Sequence, residues 1–444
     1  TEGPSKDSVR LTSLSGEGRS SATTVLTLSA LRYLHEADTE LPLEAKKVLG
    51  FTDNRQDAAL QAGHFNDFVQ VLLLRAALLA ALQKEPSHEL TEDIVGDRVF
   101  AALGFGGDDP ALLSEYLQQP TAKGQQRRDA QALMRQILTY RVLRDVRHGW
   151  RFNNPNLEQL KLLTIDYVDL EDVAADPDAW HDAPALLRDA APQVRAKGLR
   201  AVLDTMRGGL AIASLHLDPN QLEGMRSRGY SMLKQPWGFA EDEGLLTSRV
   251  MLTQNPKGQM SRRARQSDDA VLLATPRSRL ARTLRRASFW DSAPQADDLN
   301  DRSWGTVIGA ILGAAQRWGL VQRLDTEWGV PGWQLNGTAL RWRLASPKAE
   351  DDGKVNRFFR DLYTNVAAGL GQPVHWLLEC EAREHTAQVE QDVRLQREAR
   401  FRYTPKDRET HASATGQALD RLPVLFCSPT MELGVDIATL NTVY

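Results

Sequence analysis

Cysteine is almost missing: Cys380 and Cys427 are the only two in 444 residues. They stand far apart in apolar stretches, so neither a disulfide framework nor a four-ligand zinc site is expected. Two buried thiols in a reducing cytoplasm is the expectation instead. Long apolar runs are missing too. A membrane-crossing helix needs about 18 or more apolar residues, and the longest candidate, Val69 to Leu82, is interrupted by Arg75. That stretch reads as a buried or amphipathic helix, and no membrane partner is expected. The opening Thr-Glu-Gly-Pro-Ser-Lys has no initiator Met and no apolar signal core, and Tyr444 falls inside what reads as a strand; the expectation is an excised piece of a longer chain. Excess positive charge is lacking as well. The net charge is −4, so any contact with nucleic acid has to rest on local basic surface.

What is present is the composition of a globular chain. The hydrophobic share is 42% and the charged share 25%, and the length suits about two or three domains. The Ser- and Gly-rich start reads as a linker over residues 1–18. A helix follows, capped by Ser20 or Ser21 and striped by Val25, Leu28, Leu31 and Leu34. Lys47 to Thr52 is a short apolar run that ends in the polar cluster Asp53-Asn54-Arg55-Gln56-Asp57, and Ala58 to Leu82 is helical: strand, loop, helix.

From residue 86 to 350 helical patterns are separated by Pro and Gly, with no internal repeat. A mainly α-helical insertion is expected there. Over 301–345 a helix from Trp304 to Trp318 precedes two expected strands, Leu320 to Leu324 and Trp333 to Leu344, around Gly329-Val330-Pro331-Gly332. This matches the end of a winged helix and equally many other α+β folds. In the last part, His375 to Leu378 is a candidate strand, Ala387 to Arg402 a charged helix and Val424 to Cys427 a strand. Alternating β and α units argue for an α/β lobe with a parallel sheet, laid down in two pieces, 19–85 and 351–444.

Chemistry concentrates in three segments. In Cys427-Ser428-Pro429-Thr430-Met431-Glu432-Leu433-Gly434-Val435-Asp436-Ile437 an apolar strand ends in a hydroxyl that can donate to phosphate. A Gly then permits close backbone approach, and an Asp can accept from a ribose hydroxyl. The same residues also suit a strand-to-helix turn with a capping Ser.

The segment resembles motif V of superfamily-2 DEAD/DEAH-type helicases, in particular the large bacterial group related to the mitomycin-repair helicase and to anti-phage defence helicases. Glu384-His385-Thr386-Ala387-Gln388 resembles that group's preceding motif, and Phe51 to Ala58 resembles its motif IV. Gly149-Trp150-Arg151 and Pro155 to Gln159 resemble further segments of the group.

The resemblance implies part of a second RecA-like lobe of the P-loop NTPase type, split by the insertion. Gly434 and Asp436 would face ATP, and Ser428, Asn54, Arg55, Thr386 and Gln388 would face nucleic acid. For Arg55 an ion pair to Asp53 or Asp57 is the structural alternative. ATP and Mg²⁺ are the implied cofactors. The implied partners are DNA, as a single strand or duplex junction, a first RecA-like lobe of the same polypeptide, and proteins of a repair or defence system.

The other parts of such a motor are missing. No Lys is followed by Ser or Thr, so there is no P-loop. The Asp242-Glu243 pair follows no apolar strand, and the Gly-Arg-x-Gly-Arg segment that supplies an arginine finger is absent. This chain is therefore expected to be inactive by itself. Arg262, Arg263 and Arg265, then Arg277, Arg279, Arg282, Arg285 and Arg286, form a basic tract. Arg279, Arg282 and Arg286 are expected on one helical face that either tracks phosphates or is simply solvated. A non-catalytic winged-helix DNA-binding or protein-docking module is the rival reading.

Overall fold

The computed structural model describes residues 6–37, 40–147, 154–240, 243–256, 270–291, 299–346, 355–371, 375–386 and 388–428, the first fourteen of them by backbone alone. It is a mixed α/β chain. In sequence order its strands are β1 (Val48–Phe51), β2 (Glu89–Leu90), β3 (Leu163–Tyr167), β4 (Ile212–Ala213), β5 (Val250–Leu252), β6 (Val271–Leu273), β7 (Val321–Leu324), β8 (Gly332–Asn336), β9 (Leu340–Leu344), β10 (Ala382–His385) and β11 (Val424–Cys427). Two compact units result: Thr1–Ala76 with Arg151–Pro155 and Asn365–Tyr444, and Ala77–Trp150 with Asn156–Thr364. The second is wider than the 86–350 expected, and the change of unit falls inside a helix, where no Pro or Gly marks it.

The first unit is built on a parallel sheet of order β1-β11-β10. Val48 pairs with Val424 and Phe51 with Cys427 on one side, Ala382 with Val424 and His385 with Cys427 on the other. All four residues of β11 are buried, which is what an unbroken Val-Leu-Phe-Cys run means when a strand is flanked on both sides. Leu49, Phe401, Leu422, Leu425 and Cys427 form one apolar cluster.

Helix α1 (Lys6–Glu36) buries Leu28, Leu31 and Leu34 as the stripe required. It begins at Lys6, so residues 6–18 are helical rather than a linker; once nucleated, a helix extends at little cost per residue. Ser20 and Ser21 consequently lie inside α1 instead of capping it. The Ser20 carbonyl accepts from Gln61 Nε2 at 3.1 Å, and Thr24 Oγ1 meets His64 Nδ1 at 2.9 Å.

Helix α2 (Arg55–Lys84) carries the longest apolar stretch. By length and composition it could cross a membrane, yet its apolar window is 83% buried within the protein. Arg75, which interrupts that stretch, is 1% exposed and donates from Nη1 to the carbonyls of Asn154 and Pro155 at 2.9 and 3.1 Å. The guanidinium is buried because backbone acceptors meet it.

His375 to Leu378 forms a turn, not the expected strand; the strand comes later, as β10. The charged helix is shorter than expected, Gln391–Arg402.

The second unit holds two sheets. β9 pairs antiparallel with β2 and β3. β8 pairs with β4, β5 and β7, and β5 with β6. The strand expected from Trp333 to Leu344 is therefore two strands in two sheets, broken by a 3-10 turn at Gly337–Ala339. A side chain at Gly337 would run into the Glu92 carboxylate, so the turn there requires a glycine. Helix Trp304–Arg317 and the β7–β8 hairpin follow one another as a winged helix would. The hairpin is built into the larger sheet through β8, so it does not stand free as a wing.

Candidate functional site

Parallel strands that pair in register end together, so Thr52, Thr386 and Ser428, which directly follow β1, β10 and β11, share one carboxyl edge. Thr52 continues the ladder. Its amide donates to the Cys427 carbonyl at 2.9 Å, and its hydroxyl donates to the Asn54 carbonyl, also at 2.9 Å. Asn54 then caps α2: its Oδ1 accepts from the Asp57 amide at 2.9 Å, and its Nδ2 donates to the Asp57 carboxylate at 2.8 Å. Its side chain is therefore engaged in starting the helix rather than offered outward.

Arg55 is exposed, and among the described residues it has no ion pair, neither to Asp53 nor to Asp57. It stands at the first turn of α2, where the unpaired amides and the helix dipole favour an anion.

On the other two strands the picture divides. Ser428 is 1% exposed and Thr386 4%, so both hydroxyls are buried, whereas Gln388 is exposed. Gly434 and Asp436 lie outside the described residues, as do Arg262, Arg263 and Arg265 and the segment Gly149 to Arg151.

Two residues at this edge were not singled out in the sequence. His385 ends β10, is buried, and sets Nε2 2.8 Å from Glu398 Oε1 on the helix Gln391–Arg402. Its Nδ1 has no hydrogen-bond partner among the described residues. Phe51 ends β1 and is 46% exposed. Nothing local could have revealed the His385–Glu398 pair, because it depends on how the helix packs on the sheet. Phe51 reads as one more apolar residue of a strand.

Burial pushes the Cys427 thiol up to about 12, and the Glu398 carboxylate adds to the effect. Burial likewise pushes Cys380 up to about 12. Neither is a ready thiolate at neutral pH. Among the described residues no group of three or more His, Cys, Asp or Glu is gathered to hold a metal ion.

The second unit carries the basic tract. Its helix is only Arg279–Leu284, opened by Ser278, whose Oγ accepts from the Ala281 amide at 3.1 Å. Arg286 thus lies beyond the helix and does not share a face with Arg279 and Arg282. Ser278 starts the helix late and Leu284 ends it early, which six-residue spacing could not disclose. Arg285 pairs with Asp301 at 2.6 Å. Arg277, Arg279, Arg282 and Arg286 are exposed and have no ion pair among the described residues. Arg279 stands at the helix N-terminus, where a cation is disfavoured, and one turn from the like charge of Arg282.

No family model, curated protein or solved structure matches this chain.

Proposed function

We propose that the first unit is the C-terminal motor lobe of an ATP-dependent DNA helicase or translocase, acting in the cytoplasm. It grips one strand at the carboxyl edge of β1, β11 and β10. A first lobe carrying the P-loop supplies most of the ATP and Mg²⁺ site, to which Gly434 and Asp436 contribute. The observation that carries this reading is the in-register parallel pairing of β1 with β11, which come from opposite ends of the chain. Thr52 and Ser428, which follow these strands within segments that resemble separate helicase motifs, are thereby brought to one edge, where ligands of open α/β sheets bind. Arg55 and Gln388 are its exposed polar contacts, and α2 turns its N-terminus to the same edge. Alternating closure against the first lobe would move the strand.

The unpaired arginines of the second unit suit a second contact with the phosphate backbone. They suit the rival reading, a non-catalytic DNA-binding module, equally well. ATP-driven unwinding by the whole polypeptide separates the two.

The direct test is fluorescence anisotropy of the purified chain with a labelled single-stranded oligonucleotide. Replacing Arg55 and Gln388 together by Ala should weaken binding about tenfold, the scale of one or two charge-assisted hydrogen bonds. Unchanged affinity would overturn the placement of the strand at this edge.

A further inference from the structure

Phe51 is the one exposed residue of β1, β10 and β11. Across the row that ends the three strands, Phe51 is 46% exposed, Cys427 0% and His385 4%. On its side of the sheet the apolar cluster is Leu49, Phe401, Leu422, Leu425 and Cys427, each no more than 2% exposed, and Phe51 is not part of it. On the other side the Phe426 ring covers Gly50 so closely that a β-carbon there would come within 2.6 Å of it. A phenyl group half in water therefore stands where β1 ends, at the edge read as strand-binding. Four residues on is Arg55, exposed and without an ion pair among the described residues.

An exposed aromatic ring and an exposed guanidinium close to it in the chain are a pairing by which proteins hold single strands: the base stacks and the neighbouring phosphate is neutralised. We propose that Phe51 is a stacking platform for an unpaired nucleobase, with Arg55 holding the adjacent phosphate. The proposal rests on the reading of this edge as strand-binding. It adds that the strand is held by its bases as well as its backbone. Stacking is indifferent to base identity, because every base has a π-face. The grip therefore requires single-strandedness without requiring a sequence.

The experiment compares labelled oligothymidylate with an abasic oligomer of equal length and charge, by anisotropy. The proteins are the wild-type chain, Phe51→Leu, Phe51→Trp and Arg55→Ala. Phe51→Leu keeps most of the apolar bulk at this half-exposed position while removing the aromatic plane. Wild type should favour thymidylate over the abasic oligomer by about fivefold or more. Phe51→Leu should bring the two affinities together, Phe51→Trp should keep the preference, and Arg55→Ala should weaken both ligands in the same proportion. A wild-type chain that binds both oligomers equally, or a Phe51→Leu chain with its preference intact, overturns the stacking platform and leaves the strand-binding reading standing. Failure to bind either oligomer overturns both.

Discussion

The Lys47 ammonium lies 3.2 Å from the Phe401 carbonyl oxygen and 4.9 Å from the centre of the Phe401 ring. It thus caps the C-terminal end of the helix Gln391–Arg402 from beneath the parallel sheet. Lys47 is 2% exposed. Burial, and after it the Arg421 charge, lowers its pKa to about 8 from 10.5.

A base whose folded pKa is depressed is bound more tightly by protons in the unfolded chain. Its stability penalty is complete below pH 8 and is relieved as pH rises toward 10.5. In urea titrations the wild type should therefore gain stability relative to Lys47→Met across this window, by no more than about 1.4 kcal/mol per pH unit. The difference between the two proteins is the quantity to read. Tyr116 and Tyr140, raised by burial, act on both with the opposite sign. Parallel stability curves from pH 8 to 10.5 would show that Lys47 does not titrate as its surroundings dictate.

His35 gives an acid counterpart. It stacks on Trp376 with ring centres 4.9 Å apart, and its Nε2 has no hydrogen-bond partner among the described residues. Burial, then Arg421, Lys46 and His375, lowers its pKa from 6.5 to about 4. The unfolded chain takes up the proton first, so stability is full above pH 6.5 and is lost as pH falls toward 4. His35→Phe keeps the stacked ring and should reduce the loss measured between pH 7 and pH 5. An identical acid sensitivity in both proteins would assign the loss to other groups, His375 first, which burial also lowers.

The purified chain should show no ATP turnover, because the Lys that holds the phosphates and the carboxylate that organises Mg²⁺ are not in its sequence. A rate above background that persists through repurification would end the reading of this chain as one lobe of a two-lobe site.

Changing Arg279, Arg282 and Arg286 together to Ala should weaken DNA binding and flatten its dependence on salt. If all three meet phosphates, the slope of log affinity against log salt falls by roughly 2 to 3 units. An unchanged slope would make these arginines an ordinary solvated surface, in spite of their lack of acidic partners.

Much of the first unit could be read from short-range pattern. Val48–Phe51 and Val424–Cys427 are where apolar runs put them, while α2 starts at Arg55, three residues ahead of the Ala58 expected. The Leu28, Leu31 and Leu34 stripe is buried as its spacing requires. Such patterns report only whether a side chain faces solvent or core, and each is complete within a few residues. The same locality explains the misses. Ser20 and Ser21 are good caps, but a helix that continues through them has no use for a cap. Trp333 to Leu344 is one apolar stretch, but the turn at Gly337, against the Glu92 carboxylate, divides it.

By itself, the amino-acid sequence determined that β1 and β11 exist, that each ends in polar residues, and that this chain lacks a P-loop. Tertiary structure alone decided that the two strands are neighbours, that Asn54 is engaged in a cap, that Ser428 and Thr386 are buried, and that Phe51 is left out of the core. The physical reason is that burial and pairing belong to contacts between distant segments. The register of Phe51 with Cys427, and of Cys427 with His385, is set by the surfaces that must be sealed together, and no spacing along the chain encodes it.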